Sequence, residues 1–139
     1  MTVHRAIVVH VSILASPESV VAFLSDMEKW KTWAPWILSV KRVSKERWSL
    51  DTTDGAMTIR FAKSNSLGVL DHEVSLESGI TVRNAMRVVP NGTGSELEMM
   101  VIQLPEMSAE QFERDVQLVT DDFARLKSAA EAYAKKVGD

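Results

Sequence analysis

The segment that begins at Ser108 constrains the fold more than any other. Phe112, Val116, Val119, Phe123, Leu126, Ala130 and Tyr133 recur at steps of three and four, which draws one apolar stripe along a helix. Ser108 with Gln111 forms a capping box, and Met107 can pack on Phe112 as a hydrophobic staple, so the helix start is signalled twice. Acidic residues (Glu110, Glu113, Asp115, Asp121, Asp122) crowd the first half and basic ones (Arg125, Lys127, Lys135, Lys136) the second, as the helix dipole prefers. At 1.5 Å per residue the helix spans roughly 40 Å. A stripe of that length needs an equally long apolar surface to cover it.

Strands are expected to supply that surface. In "HRAIVVHVSI", alternation puts Ile7, Val9, Val11 and Ile13 on one face and Ala6, Val8, His10 and Ser12 on the other. "SPESVVAFLSDM" then starts a short helix, with Ser16 as N-cap and Pro17 at the first helical position, where no backbone N–H is needed. "EKWKTWAPWI" reads as a second short helix and a bend, limited by Pro35. Four strands follow, "WILSVKRVS", "RWSLDTT", "AMTIRFAK" and "SLGVLDHEVSL", and then a longer hairpin of "ITVRNAMRVVP" and "SELEMMVIQ". The order is α+β: about seven mostly sequential antiparallel strands, two short helices and the long C-terminal helix. A twisted sheet curls, so a straight helix laid across its concave side meets the rims better than the middle. The gap is a natural ligand cavity.

Composition narrows the function classes. A length of 139 residues suits one domain over 1–139, and the absence of cysteine excludes disulfides, thiolate catalysis and thiolate metal sites. The simplest location is then the cytoplasm. "MTVHRAIVVHVSIL" is too short and too polar in its apolar stretch for a signal peptide or a membrane span, so no membrane insertion is expected. A net charge of −3, with no basic stripe, argues against nucleic acid as a partner. His4 and His10 share a strand face but lie roughly 20 Å apart at the strand rise, too far to share a metal ion. "GTGSEL" lacks the third glycine and the helix of a dinucleotide loop. It reads as a turn, and neither metal nor cofactor is expected.

"ILASPESVVAFLSDMEKWKTWAPWI", "LGVLDHEV", "MRVVPNGTGSELEM" and "MSAEQFERDVQLVTDDFARLKSAAEAY" resemble the superfamily of polyketide cyclases, START domains and Bet v 1-like proteins, above all its small bacterial stand-alone members. The resemblance covers nearly the whole chain and implies the helix-grip fold, with a hydrophobic cavity between the sheet and the last helix. It also implies a choice, since members include carriers of lipids, sterols, polyketides or hormones as well as cyclases and hydrolases.

The candidate site follows from strand alternation. With Leu70 and Val74 facing the core, His72 faces the cavity, whereas Asp71 and Glu73 face solvent, so Asp71 and His72 form no catalytic dyad. A lone inward histidine can orient a ligand or serve as a general base, although a core histidine bonded to a neighbour is the commoner arrangement. Asn84 is placed inside with Met86, on a strand where it can approach His72, and a buried amide must find a partner. Trp48, Leu50, Ile59, Phe61 and Met99 point inward from the other strands, and Phe112, Val116, Val119 and Phe123 from the helix. Trp30, Trp33 and Trp36 are expected to plug one end of the sheet.

Three functions fit these residues. The first is a non-catalytic carrier enclosing a small hydrophobic molecule, anchored by His72 and Asn84. The second is a cyclase or dehydratase with His72 as general base and Asn84 holding an enolate oxygen. The third is an interaction module with a filled core. A homodimer through a sheet edge or the helix is compatible with each.

Overall fold

The computed structural model describes residues 1–139. Strand β1 (Ala6–Ile13) is followed by helix α1 (Pro17–Ser25), a 3₁₀ helix (Met27–Thr32), and strands β2 (Ile37–Arg42), β3 (Arg47–Thr52), β4 (Gly55–Phe61), β5 (His72–Leu76), β6 (Thr81–Asn91) and β7 (Gly94–Ile102). Helix α2 (Ala109–Lys136) closes the order. The seven strands form one sheet in the order β1-β7-β6-β5-β4-β3-β2, with every neighbouring pair antiparallel. This is the helix-grip arrangement of an α+β fold.

Local chemistry sets the helix starts. Ser16 Oγ accepts from Ser19 N–H, with Pro17 in the first turn, where its missing donor costs nothing. At α2 the capping box is complete: Ser108 N–H donates to Gln111 Oε1 at 2.9 Å and Gln111 N–H to Ser108 Oγ at 3.1 Å. The second short helix is a 3₁₀ helix held by Asp26, whose carboxylate accepts from Glu28 N–H.

Helix α2 buries Phe112, Phe123, Leu126, Ala130 and Ala134, and its principal neighbours are β1 and α1. It therefore crosses one side of the sheet, over β1, and α1 packs on β6 beside it. Ile59 of β4, Met86 and Val88 of β6 and Leu97 of β7 are buried on the inner face.

One expected strand is shorter than its sequence suggests. "SLGVLDHEVSL" enters regular pairing only at His72, and residues 64–71 form a loop. Asn65 holds that loop, its Oδ1 accepting from Leu67 and Val69 N–H and its Nδ2 donating to the Lys63 and Val69 carbonyls. Gly68 comes so close to β6 that a Cβ there would sit 2.0 Å from the Val88 carbonyl oxygen, and its φ of +71° is itself a glycine conformation.

Candidate ligand cavity

A cavity of about 520 Å³ lies between the inner face of the sheet, the 3₁₀ segment and α2, and 16 of its 22 lining residues are hydrophobic. Its size and apolar wall suit a small organic molecule. Its mouth follows from the topology: β6 pairs with β5 over Thr81–Asn84 but with β7 only from Ala85 onward. The exposed residues Thr81, Arg83 and Ile102 border the resulting gap, together with Leu104 and Met107.

Ile59, His72, Asn84, Met86, Met99, Val119 and Phe123 lie in the cavity wall. The other five expected site residues lie elsewhere. Trp48 and Phe61 border a smaller hollow beside Val21 and Ser25 of α1, and the Phe61 ring packs against Trp30 and His72. The Arg42 guanidinium sits 5.3 Å from the centre of the Trp48 ring. Leu50 and Phe112 are wholly enclosed in the core, and Val116 packs against that core off the cavity wall.

His72 is 6 % exposed, and both its ring nitrogens are engaged within the protein. Nδ1 lies 2.9 Å from the Leu70 carbonyl oxygen, which can only accept, so Nδ1 carries the proton. Nε2 is then an acceptor, and the group 3.2 Å away is the Asn84 amide nitrogen. The His72 tautomer fixes the amide in turn: Nδ2 faces His72, and Oδ1 is left without a protein partner. Burial holds the imidazole below its ordinary pKa, against the opposing pull of the Leu70 carbonyl and the Asp71 charge. The ring is neutral at pH 7.

Asp71 has a structural task. Its Oδ1 accepts from Met86 N–H at 2.9 Å, while its Oδ2 lies 3.8 Å from the Arg87 guanidinium on the outer side of the sheet.

Trp30, Trp33 and Trp36 pack as the sequence suggests and also form part of the cavity wall. The Trp30 ring meets Trp33, Phe61 and His72 at centroid distances of 5.0, 5.9 and 6.1 Å, and its Nε1 donates to the Leu24 carbonyl. Helix α2 holds the segment through two side chains: Trp36 Nε1 donates to Asp122, and Arg125 Nε donates to the Trp33 carbonyl. The Trp33 indole N–H is buried without an acceptor.

Sequence reading missed Asp115, a half-buried carboxylate in the cavity wall with no hydrogen bond or ion pair. Burial raises its pKa above the ordinary aspartate value. A signal was available, because Asp115 lies three residues after Phe112 and four before Val119, on the same helix face. No three histidine or acidic side chains converge in a way that could hold a metal ion.

Residues 4–131 match the family described as polyketide cyclase / dehydrase and lipid transport, and the chain belongs to that family. It is thereby a member of the START and Bet v 1-like superfamily. Among curated proteins none matches the sequence. Solved structures share the fold at low identity. Ara h 8.0201 is 13 % identical with a TM-score of 0.69, over 95 % of this chain and 98 % of that one. A START superfamily protein from Mycobacterium smegmatis is 16 % identical with a TM-score of 0.64, over 95 % and 98 %. The Aha1 dimer from Colwellia psychrerythraea is 14 % identical with a TM-score of 0.72, over 91 % and 96 %. No helix is long and apolar enough to cross a membrane.

Proposed function

We propose that this protein binds and carries a small, mainly hydrophobic molecule in the cavity between the sheet and α2. The observation that supports the reading most is a cavity of about 520 Å³ with a predominantly apolar wall and an open mouth, in a fold whose family includes lipid transport. His72 and Asn84 shape that wall, and Met86 and Met99 lend it adaptable side chains.

A cyclase reaction with His72 as general base has less support. The Nε2 lone pair is already held by Asn84, and burial lowers its basicity. His72 is a positioning residue in this reading, fixing Asn84 rather than taking a substrate proton.

Native mass spectrometry of the protein purified from its own host tests the carrier reading. A discrete added mass, released on denaturation, is expected. Protein recovered only at its bare mass, with no uptake of hydrophobic probes, would refute it.

A further inference from the structure

Three polar groups of the cavity wall stand without a protein partner: Asn84 Oδ1 and the Asp115 carboxylate, both acceptors, and the Trp33 indole N–H, a neutral donor. Asn84 Oδ1 has no protein partner, because the His72 tautomer turns the amide nitrogen the other way. Asp115 projects from α2 into the wall with neither hydrogen bond nor ion pair. Of the other charged residues lining the space, Asp122 is committed to Trp36 and Arg125, and Arg83 is directed to Glu73, with its Nε 3.7 Å from the Glu73 carboxylate. Arg83 is also 83 % exposed, so its charge is largely hydrated. The Asp115 carboxylate is therefore the charge in the wall that the protein leaves unmatched.

We infer that the cavity selects amphiphiles with a hydrogen-bond-donating, positively charged head, a protonated amine on an apolar body, whose ammonium group pairs with Asp115. The inference rests on the carrier reading and names the ligand class for that same cavity. An ammonium group satisfies a carboxylate through a charge-assisted hydrogen bond, stronger than a neutral one and stronger still out of bulk water. A carboxylate ligand such as a fatty acid would instead set two like charges together beside apolar walls. The raised pKa of Asp115 agrees with this, since a partly desolvated carboxylate without a partner is the form that a cation stabilises. A donor on the ligand's body could meet Asn84 Oδ1 as well.

Decylamine, decanol and decanoate carry the same chain with three different heads, and calorimetric titration at pH 7 compares them. Decylamine is expected to bind about tenfold more tightly than decanoate, with decanol between them. In Asp115→Asn the three should fall within about threefold of one another. Equal binding of all three by the native protein, tighter binding of decanoate, or a preference for amine that survives Asp115→Asn would each overturn the inference and leave the carrier reading standing. Binding of none of the three would overturn both.

Discussion

Asp71 and His72 divide one backbone hydrogen bond between them. In a regular antiparallel ladder the Met86 N–H would meet the Leu70 carbonyl, whose own N–H does donate to the Met86 carbonyl at 2.9 Å. Here the Asp71 carboxylate takes the Met86 N–H, and the His72 imidazole takes the Leu70 carbonyl. The exchange leaves no group unsatisfied. It also locks the His72 tautomer, and with it the orientation of Asn84.

Asp71→Ala should cost about 1–3 kcal/mol, because the Met86 N–H loses its acceptor while His72 still holds the Leu70 carbonyl. Asp71→Asn keeps an acceptor and should cost under about 1 kcal/mol. Adding His72→Phe to Asp71→Ala frees the carbonyl, so the double variant should lose about 1 kcal/mol less than the sum of the two single ones. Urea unfolding of the four proteins measures this. Strict additivity would contradict the shared bond.

The imidazole of His72 gives stability a pH dependence of known sign. Its pKa is depressed in the fold from the ordinary 6.5, so the unfolded chain takes up its proton first as the pH falls. The contribution is complete above about pH 6.5 and is lost progressively as the pH falls through the lower folded value. His72→Phe should be less stable at every pH and have a flatter profile below 6.5. Nitrogen chemical shifts of the ring at pH 7 should report a proton on Nδ1 alone.

Asp115 has the opposite sign. Its folded pKa is raised by burial, so its ionised form opposes folding, and this penalty grows as the pH rises through the folded value. Asp115→Asn should therefore melt slightly higher than the native protein near pH 7, with the gain vanishing below about pH 4, the ordinary aspartate range. Arg83 and Asp122, the other charges lining the cavity, remain in both proteins, so the difference isolates Asp115. A lower melting temperature at pH 7 would show that the carboxylate has a partner within the protein.

Gly68→Ala combines a φ of +71° with a Cβ that would lie 2.0 Å from the Val88 oxygen. It should lose more than about 2 kcal/mol, the left-handed conformation alone accounting for 1–2 kcal/mol. Gly92, at φ +59° with nothing near its absent Cβ, is the control, and its replacement by alanine should cost about 1 kcal/mol. Urea midpoints of the two variants separate steric collision from backbone strain.

Much of this fold was legible because a few local rules are strong. The Ser108 capping box and the stripe from Phe112 to Tyr133 specify α2 almost to its boundaries, and alternation assigns Ile59, Met86 and Met99 to the inner face. Alternation settles a side of the sheet, not a position along it. Trp48 and Phe61 face inward, yet they border a separate hollow with Val21 and Ser25 of α1, and only the three-dimensional position of α1 decides that. The bonded pair of His72 and Asn84 follows from register, which faces alone do not determine. Asp115 escaped for another reason: a search for apolar periodicity passes over a carboxylate, even one that lies on the stripe.

The point at which β7 joins β6 has a mechanical consequence. On one side β6 is bonded along both halves, by β5 over Thr81–Asn84 and then by Leu70 and Gly68, whereas β7 bonds it only from Ala85 onward. Beside the cavity mouth, Thr81–Asn84 has no partner on the β7 side. Parting β6 from the Gly68–Asp71 segment would break the Leu70–Met86 and Val88–Gly68 bonds, so the mouth widens at least cost where the first half of β6 and the end of β7 already stand apart.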